Sequence, residues 1–303
     1  MCPRGGFLLC AVVFMEVKKP ITYDQQIVEL QSKGFIVTDP DICIQRLEQI
    51  RYYRLLAYLL PFKNPTTKKY RPDIPIERVF KIYEFDGKIR ALISKTIDEI
   101  EIYMRSILSY YYAHRYGALG YLLDNNFNSF HDHTKFLKLI SDCINNNKSN
   151  LIIKWHKTKY GGKFPIWVII EFFTFGMLSK FYSDMKRTDQ IKLANSIGVD
   201  KSQLSSWLYC LTGLRNSCAH YSRLYFTKFP AVPAMPEKFF YQTIPPSKIF
   251  DQLIPLRMTY PDRKKWNSNF IIELESIVEK YSSHIELDHI GFPENWKSIL
   301  TFD

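Results

Sequence analysis

The segment from Leu211 to Arg223 combines residues that can move protons and bind phosphate. Arg215 is a permanent cation, His220 can gain or lose a proton near neutral pH, and Asn216 adds an uncharged donor and acceptor. At about 100° per residue, these three side chains fall on the polar face of a helix whose opposite face is apolar. The combination indicates phosphodiester chemistry that needs no metal ion.

The predicted helix continues to residue 225 and places Asn216, His220 and Arg223 on one stripe, at positions i, i+4 and i+7. Arg215 lies about 140° around the axis from His220, so the two side chains can flank a common ligand better than they can bond each other. The same pattern is typical of a solvated surface, and a single helical histidine is more often structural than catalytic. Spacing alone leaves both interpretations open.

Hydrophobic periodicity predicts a mostly helical chain outside this segment. Helices are expected over residues 23–33, 39–54, 164–185, 190–197, 201–210, 247–256 and 264–284, with two more within 77–116, the second from about Asp86. Gly213 is expected to kink or break the helix just before Arg215. A loop is expected at 59–76, and an Asn- and Lys-rich insertion, mobile at Gly161–Gly162, near 117–163.

The helix beginning near Asp86 carries an apolar stripe beside a polar one. Glu101 and Arg105 form an i, i+4 pair on the polar stripe. On an exposed surface such a pair contributes only ~0.3–0.5 kcal/mol. Packed against the segment from Leu211 to Arg223, the same pair could instead orient Arg215 or His220.

Composition indicates a protein of the reducing cytoplasm with an anionic partner. The 303 residues are 46% hydrophobic, enough for a full core, and the net charge of +11 favours nucleic acid or another polyanion. The aromatic fraction of 16% offers rings that could stack on bases, although most rings will be core packing. Nucleotide-binding glycine motifs and the serine-hydrolase motif do not occur in the sequence.

Neither a disulfide framework nor a metal site is expected from the cysteines and histidines. The six cysteines are scattered without a CxxC pair. His131-Asp132-His133 has the composition of a metal-binding pair, but because no matching His or Cys spacing accompanies it, a solvated loop is the favoured interpretation. We therefore expect no metal and no cofactor.

The segment from Leu211 to Arg223, which we call the signature, resembles a motif of a known family. Arg215-Asn216-Ser217-Cys218-Ala219-His220, followed by Ser222-Arg223-Leu224, resembles the RNxxAH…SR signature of the bacterial abortive-infection Abi family (AbiD/AbiF type) of the HEPN superfamily. Further similarity covers roughly residues 16–303 and includes Tyr52-Tyr53-Arg54-Leu55 with Tyr58, Asp86 with Arg90, Glu101 with Arg105, Pro165-Ile166-Trp167, and Gly291-Phe292-Pro293 with Trp296. Two positions depart from the family: Tyr221 replaces a common second histidine, and Tyr225-Phe226 replaces Trp-Asn.

The resemblance implies an all-α, HEPN-like helical bundle with additional N- and C-terminal helices. Residues 16–80 would form an N-terminal helical region, 81–228 the HEPN-like core with its insertion, and 229–303 a C-terminal helical region. Residues 1–15 are expected to be an upstream extension or a disordered tail, since Met15 is a more natural start and the apolar run at 7–14 is too short to span a bilayer. No stable membrane association is expected.

The resemblance also implies an activity, namely a metal-independent RNA endonuclease of anti-phage defence. His220, Arg215 and Asn216 would be catalytic, in a cleft shared by a homodimer, with Glu101, Arg105 and Arg223 supporting them. RNA would also contact Tyr52, Tyr53 and Arg54, and a partner RNA or an antitoxin could control the enzyme. The alternative is a non-catalytic RNA- or partner-binding protein that uses the same surface.

Overall fold

A computed structural model describes residues 19–236 and 247–303. Apart from one pair of two-residue parallel strands, the regular elements of these residues are helices, which confirms the all-α fold class. The elements are α1 Tyr23–Ser32, β1 Phe35–Ile36, α2 Pro40–Ile50, α3 Tyr52–Leu59, β2 Ile74–Pro75, α4 Ile76–Tyr116, α5 His133–Asn146, α6 Leu151–Lys159, α7 Ile166–Ile169, α8 Phe175–Asp184, α9 Arg187–Ser196, α10 Lys201–Ala219, α11 Ile249–Thr259, α12 Arg263–Lys265, α13 Ile272–Tyr281, α14 Leu287–Ile290 and α15 Trp296–Leu300. Short 3₁₀ turns occupy Leu60–Phe62, Gly120–Leu122, Asp124–Asn126 and Ile170–Phe172, and a π-helical turn, Trp266–Ile271, joins α12 to α13.

The long helix α4 is the centre of the fold. It packs against α3, α7, α8, α10, α11 and α13, and the first five positions of its predicted apolar stripe, Ile89, Ile93, Ile97, Ile100 and Met104, are buried. The prediction of two helices within 77–116 was wrong, because the helix runs unbroken through Gly87. Packing of α4 against helices on several of its faces stabilises it by more than Gly87 destabilises it.

The N-terminal helices begin where the sequence indicates but end differently. Thr22 and Gln25 form a capping box at the start of α1, and the Asp39 side chain accepts the amide of Ile42 at the start of α2. The single helix expected over 39–54 is in fact two helices, because Arg51 has a positive φ of 67° and turns the chain. This turn directs α3 toward the end of α10.

The apolar segment 164–185 is also two helices instead of the one predicted. Phe173 is extended, with φ −73° and ψ 137°, and the Thr174 hydroxyl accepts the Met177 amide at 3.3 Å to start α8. Helix α8 lies close to α10, where a methyl group added at Gly176 would come 3.3 Å from Cγ2 of Thr212. The break therefore brings α8 alongside the helix that carries the signature.

Helix α10 differs from its prediction at Gly213 and at its C-terminal end. It passes through Gly213 without a break, and it ends at Ala219 instead of continuing to residue 225. Ser222 and Arg223 are therefore outside the helix, and the predicted stripe of Asn216, His220 and Arg223 does not exist. His220 is the C-terminal cap.

The remaining segments are mostly packed helices. The segment near 117–163 holds α5 and α6, whose residues Phe136, Ile140 and Ile153 are buried. Within 19–236 and 247–303, no helix has the length and apolar character needed to cross a membrane. The predicted tail at 1–15 and the stretch 237–246 lie outside the described residues.

Candidate functional site

The polar residues of the signature are exposed together at the C-terminal end of α10. Arg215, Asn216 and His220 are all solvent-exposed. Their side chains form no hydrogen bond or ion pair with any residue of 19–236 or 247–303. Free donors and an imidazole on an exposed surface are available to a ligand, whereas the opposite face of the helix, Leu211, Leu214 and Cys218, is buried.

A Schellman motif ends α10 directly after His220. The Ser222 amide donates to the Ser217 carbonyl at 2.8 Å and the Tyr221 amide donates to the Cys218 carbonyl at 3.0 Å, which is the bonding pattern of that motif. The motif requires a left-handed residue, usually glycine, and here Tyr221 takes that place with a φ of 54°. This reversal ends the helix although the apolar pattern continues beyond it.

The carboxylate of Asp86 holds the chain that follows the motif. Its Oδ1 accepts the amides of Leu224 at 2.9 Å and Tyr225 at 2.6 Å, and its Oδ2 accepts the Tyr58 hydroxyl at 2.7 Å and Nη1 of Arg90 at 2.5 Å. Asp86 is only 1% exposed, so every one of these bonds is shielded from water. Burial, together with the Asp86 charge, raises the pKa of Tyr58, so its hydroxyl remains a donor.

Three arginines also hold this part of the chain by donating hydrogen bonds to backbone carbonyls. Arg54 Nη2 binds the Tyr221 carbonyl, and Arg90 Nη1 binds the Ser222 carbonyl at 2.9 Å. Arg223 donates to the carbonyls of Ala57 and Phe226. Burial lowers the pKa of Arg90, but the electrostatic interactions with Asp86 and Tyr58 and their hydrogen bonds together outweigh that effect, so the pKa is raised. We call the buried set Tyr58, Asp86 and Arg90, with Arg54 and Arg223, the clamp.

The C-terminal region holds the same loop from another side. The Tyr225 hydroxyl lies 2.9 Å from Nδ1 of His289 and accepts the Glu286 amide at 3.0 Å, and its ring packs edge-on against Phe85. Sequence reasoning assigned no role to Tyr58, Asp86 or Arg90. The signal that could have found them was present, since a buried aspartate four residues from an arginine on a central helix needs partners.

The three residues that were predicted to support the catalytic side chains make their hydrogen bonds with other parts of the fold. Arg105 donates to Glu101 and, at 2.8 Å, to the carbonyl of Phe173, which the helix break before α8 leaves without a partner. Glu101 is 8% exposed, and neither side chain of the pair bonds Arg215 or His220. Arg223, the third predicted support, is half-buried in the clamp, where desolvation lowers its pKa. These three residues build the fold around the signature.

The predicted RNA-contacting residues lie at the start of α3, which the Arg54–Tyr221 bond joins to the end of α10. Tyr53 is 73% exposed, and its ring contacts Tyr52 in an edge arrangement with the centroids 6.0 Å apart. Tyr52 is only 9% exposed, with its hydroxyl 3.4 Å from Lys33 Nζ, so its ring cannot stack on a base without leaving the core. The Arg54 guanidinium is bound to the Tyr221 carbonyl, so it serves the clamp.

Thiolate chemistry does not suit the cysteine inside the signature. Burial raises the pKa of Cys218 to about 11. Such a group is protonated at neutral pH and is inert as a nucleophile. The four cysteines of the described residues, Cys43, Cys143, Cys210 and Cys218, are all free thiols.

The segment His131–His133 was predicted to be a solvated loop, and for His131 this is wrong, whereas Asp132 is exposed. The His131 side chain is fully buried, its ring stacks on Phe127 with centroids 3.9 Å apart, and Nδ1 lies 2.9 Å from the Asp184 carboxylate. Aromatic packing on the nearby Phe127 and an acidic partner from α8, Asp184, decide this burial.

The exposed end of α10 can therefore present a cation, an amide and an imidazole to one ligand. Arg215 and His220 are separated by about 7.5 Å along the axis and about 140° around it. The C-terminal end of a helix carries partial negative charge, so an anion can bind there only through cationic side chains such as Arg215. A bound phosphate would lie between Arg215 and a base or acid supplied by the same helix or by another copy of it.

Comparison with known proteins identifies a family for this chain. The sequence model of the family described as Abi-like protein matches residues 45–226, which is more than half of the chain and runs from within α2 to the clamped loop after α10. The matched range includes both the signature and Tyr58, Asp86 and Arg90. No curated protein and no solved structure matches the chain.

The clamp is expected to carry a large share of the stability. Asp86→Asn leaves the Arg90 charge buried without its carboxylate and should cost about 3–5 kcal/mol of unfolding free energy, measured by urea denaturation. Tyr58→Phe, which removes one hydrogen bond, should cost about 1 kcal/mol. The control Asp98→Asn changes an exposed carboxylate of the same helix and should stay within about 0.5 kcal/mol of wild type. Equal stability of Asp86→Asn and Asp98→Asn would show that the clamp is not needed.

Because Tyr221 has a left-handed conformation, glycine should be more favourable than alanine at this position, which is the reverse of the order inside a helix. Tyr221→Gly should be more stable than Tyr221→Ala by about 1 kcal/mol, because only glycine adopts this conformation without steric cost. Tyr209 is equally exposed but lies inside α10, and there the alanine variant should be the more stable one, again by about 1 kcal/mol. Thermal and urea unfolding of the four variants measures both differences. The same order at both positions would contradict the helix end described above.

Proposed function

The chain belongs to the family of Abi-like proteins, which suggests a role in abortive-infection defence, and we propose that it is a metal-independent RNA endonuclease acting in that defence. One observation carries the proposal. Arg215, Asn216 and His220 are exposed on a helix end whose backbone is held by a buried carboxylate and three arginines. Rigid support beneath free polar side chains is the arrangement that catalysis by positioning requires.

The proposed reaction is an attack by the ribose 2′-hydroxyl on the adjacent phosphorus. His220 withdraws the proton from the 2′-hydroxyl or donates a proton to the leaving 5′-oxygen. Arg215 stabilises the negative charge that grows on the phosphate oxygens, and Asn216 holds the phosphate or the imidazole. The phosphorus–5′-oxygen bond breaks, which gives a 2′,3′-cyclic phosphate and a 5′-hydroxyl. DNA lacks the nucleophile and is not cleaved.

A second copy of the chain completes the proposed site. Arg215 and His220 diverge around α10, so a single helix presents them to different sides of a ligand. Two copies of α10 facing each other would bring the Arg215 of one and the His220 of the other to one phosphate. The net charge of +11 suits a cleft that holds a polyanion. Glu101, Arg105 and Arg223 act in this proposal by shaping the fold, since their own bonds are to backbone carbonyls and to each other.

The second candidate is a non-catalytic protein that binds RNA or a partner, an antitoxin included, through the same surface. It is favoured by the absence of any residue in 19–236 or 247–303 that orients His220, since a catalytic imidazole usually receives such a partner. The two candidates differ in one measurable respect. Intact RNA after prolonged incubation with the homogeneous protein, together with salt-sensitive binding, would favour the second.

Cleavage by the purified protein tests the catalytic assignment. His220→Ala and Arg215→Ala should each lower the cleavage rate by about 10²–10⁴-fold, because each removes proton transfer or charge stabilisation. Oligomeric state and melting temperature should not change, since neither side chain bonds another described residue. The controls His114→Ala and Arg187→Ala remove an exposed histidine and an exposed arginine elsewhere and should cleave like wild type.

Sequencing of the RNA ends identifies the chemistry in the same experiment. Cyclic phosphate and 5′-hydroxyl ends should accumulate with the wild type and be missing with His220→Ala, both for the purified protein and in expressing cells, where toxicity should disappear as well. Cleavage should continue when Mg²⁺ is chelated. Cleavage that needs Mg²⁺ and does not depend on His220 would refute the mechanism.

Tyr53 is expected to stack on RNA beside the signature. In a His220→Ala background, where the RNA stays intact, Tyr53→Ala should weaken binding of a single-stranded RNA by about 1–3 kcal/mol, while Tyr53→Phe keeps the ring and the affinity. Tyr110→Ala removes an equally exposed ring from α4 and serves as the control. Fluorescence anisotropy at one fixed salt concentration measures the affinities. Equal loss with Tyr110→Ala would assign the effect to general surface change.

A further inference from the structure

A second cluster of polar side chains lies at the other end of α4. It consists of His131 and His133, at the start of α5, and Asp124 in the loop before them. One ligand atom from each of the three lies within 4.8 Å of the others. Nε2 of His131 and Nδ1 of His133 face each other at 3.2 Å.

The partners of His131 determine which of its nitrogens carries a hydrogen. Nδ1 lies 2.9 Å from Oδ2 of Asp184, and the other oxygen of that carboxylate is bound by Lys180. A carboxylate paired with an ammonium group accepts hydrogen bonds, so Nδ1 of His131 donates. In the neutral imidazole, Nε2 then carries a lone pair.

The same reasoning applies to His133. Its Nε2 lies 3.0 Å from the backbone carbonyl oxygen of Leu122, which can only accept, so Nε2 carries the hydrogen. Nδ1 of the neutral ring is left with a lone pair. Two nitrogens that each carry a lone pair therefore lie 3.2 Å apart, an arrangement that repels unless a positive centre lies close to both.

We infer that His131, His133 and Asp124 form a binding site for a divalent transition metal ion of the zinc class. Two nitrogens at zinc distances of 2.0–2.1 Å and a tetrahedral angle are about 3.3 Å apart, close to the separation seen here. Asp124 is the third ligand and a solvent molecule the fourth. The remaining nitrogens donate to the Asp184 carboxylate and the Leu122 carbonyl, which is how metal-binding histidines are normally oriented.

The surroundings hold the first histidine in place. The His131 ring stacks on Phe127 at 3.9 Å and meets the edge of Phe136 at 5.2 Å, and its side chain is fully buried. A proton shared between the two histidines is the competing occupant. The Asp124 carboxylate lies near both nitrogens and can serve a metal ion as a third ligand, which a shared proton does not need.

The site is separate from the signature. Phe127 packs on Tyr112, whereas the clamp contacts α4 at Asp86, 26 residues earlier and therefore about 39 Å away along the helix axis. The metal ion would tie the loop before α5 to α8, through Asp184, and would be structural. Removing it should lower the melting temperature without slowing cleavage at temperatures well below melting, so this inference and the proposed nuclease activity can fail independently.

Zinc binding by the full chain without a histidine tag tests the inference. After metal removal and titration with Zn²⁺, the wild type should bind one ion per chain, measured by calorimetry and by elemental analysis after gel filtration. At a hundredfold excess over Kd, zinc should raise the melting temperature by roughly 5 °C. Asp124→Asn, which changes an exposed ligand with little risk to folding, should weaken binding at least about tenfold.

Matched variants separate the site from adventitious surface binding. His131→Gln/His133→Gln should bind no zinc at this site and show no zinc-dependent rise in melting temperature. Asp142→Asn and His114→Gln remove an exposed carboxylate and an exposed histidine outside the cluster and should bind like wild type. The inference would be overturned if the wild type bound zinc no more tightly than the double variant, or if zinc did not change the wild-type melting temperature. A proton shared between the two histidines would then be the explanation of their close approach.

Discussion

The Asp86 carboxylate joins three separate parts of the chain at one buried point. It accepts a hydroxyl from α3, a guanidinium from its own helix and two successive amides from the loop after α10. A carboxylate that is 1% exposed would be strongly destabilising alone, so all of its partners must be in place together. The direction in which the chain leaves α10, and with it the position of His220, depends on this one group.

The arginines of this part of the fold are of two kinds: those that bind backbone carbonyls and one that is exposed. Arg54 and Arg90 donate to carbonyls of the loop directly after α10. Arg223 donates to Ala57 in α3 and to Phe226, and Arg105 donates to the Phe173 carbonyl before α8. Planar guanidinium groups suit this task because they satisfy several acceptors from one buried position. Arg215, in contrast, has no partner among the described residues and faces solvent. Most arginines near the signature therefore stabilise the fold. Arg215 is exposed and can bind an anion.

Sequence reasoning succeeded where a periodic pattern decides structure and failed at helix ends. The all-α class, the buried stripe of α4 and the Asp39 cap follow from local rules. The breaks at Arg51 and Phe173 and the reversal at Tyr221 do not, because the residue types at these positions are compatible with helix. The break at Phe173 and the reversal at Tyr221 are stabilised by groups from elsewhere in the chain: an arginine binds the carbonyl at each position, and the Asp86 carboxylate binds the amides that follow the reversal.

The sequence by itself determined that the chain is helical, that it carries the Arg215–His220 signature and that it resembles the Abi family, because these depend on residue types and short spacings. Only the tertiary structure decided what the neighbouring polar residues do. It showed that Arg223, Glu101 and Arg105 are bonded within the fold and that Tyr52 is buried, and it brought ligand atoms of His131, His133 and Asp124 within 4.8 Å of one another. A charged side chain can serve the fold or a ligand, and the choice depends on which carbonyls and carboxylates from distant segments lie within hydrogen-bond reach.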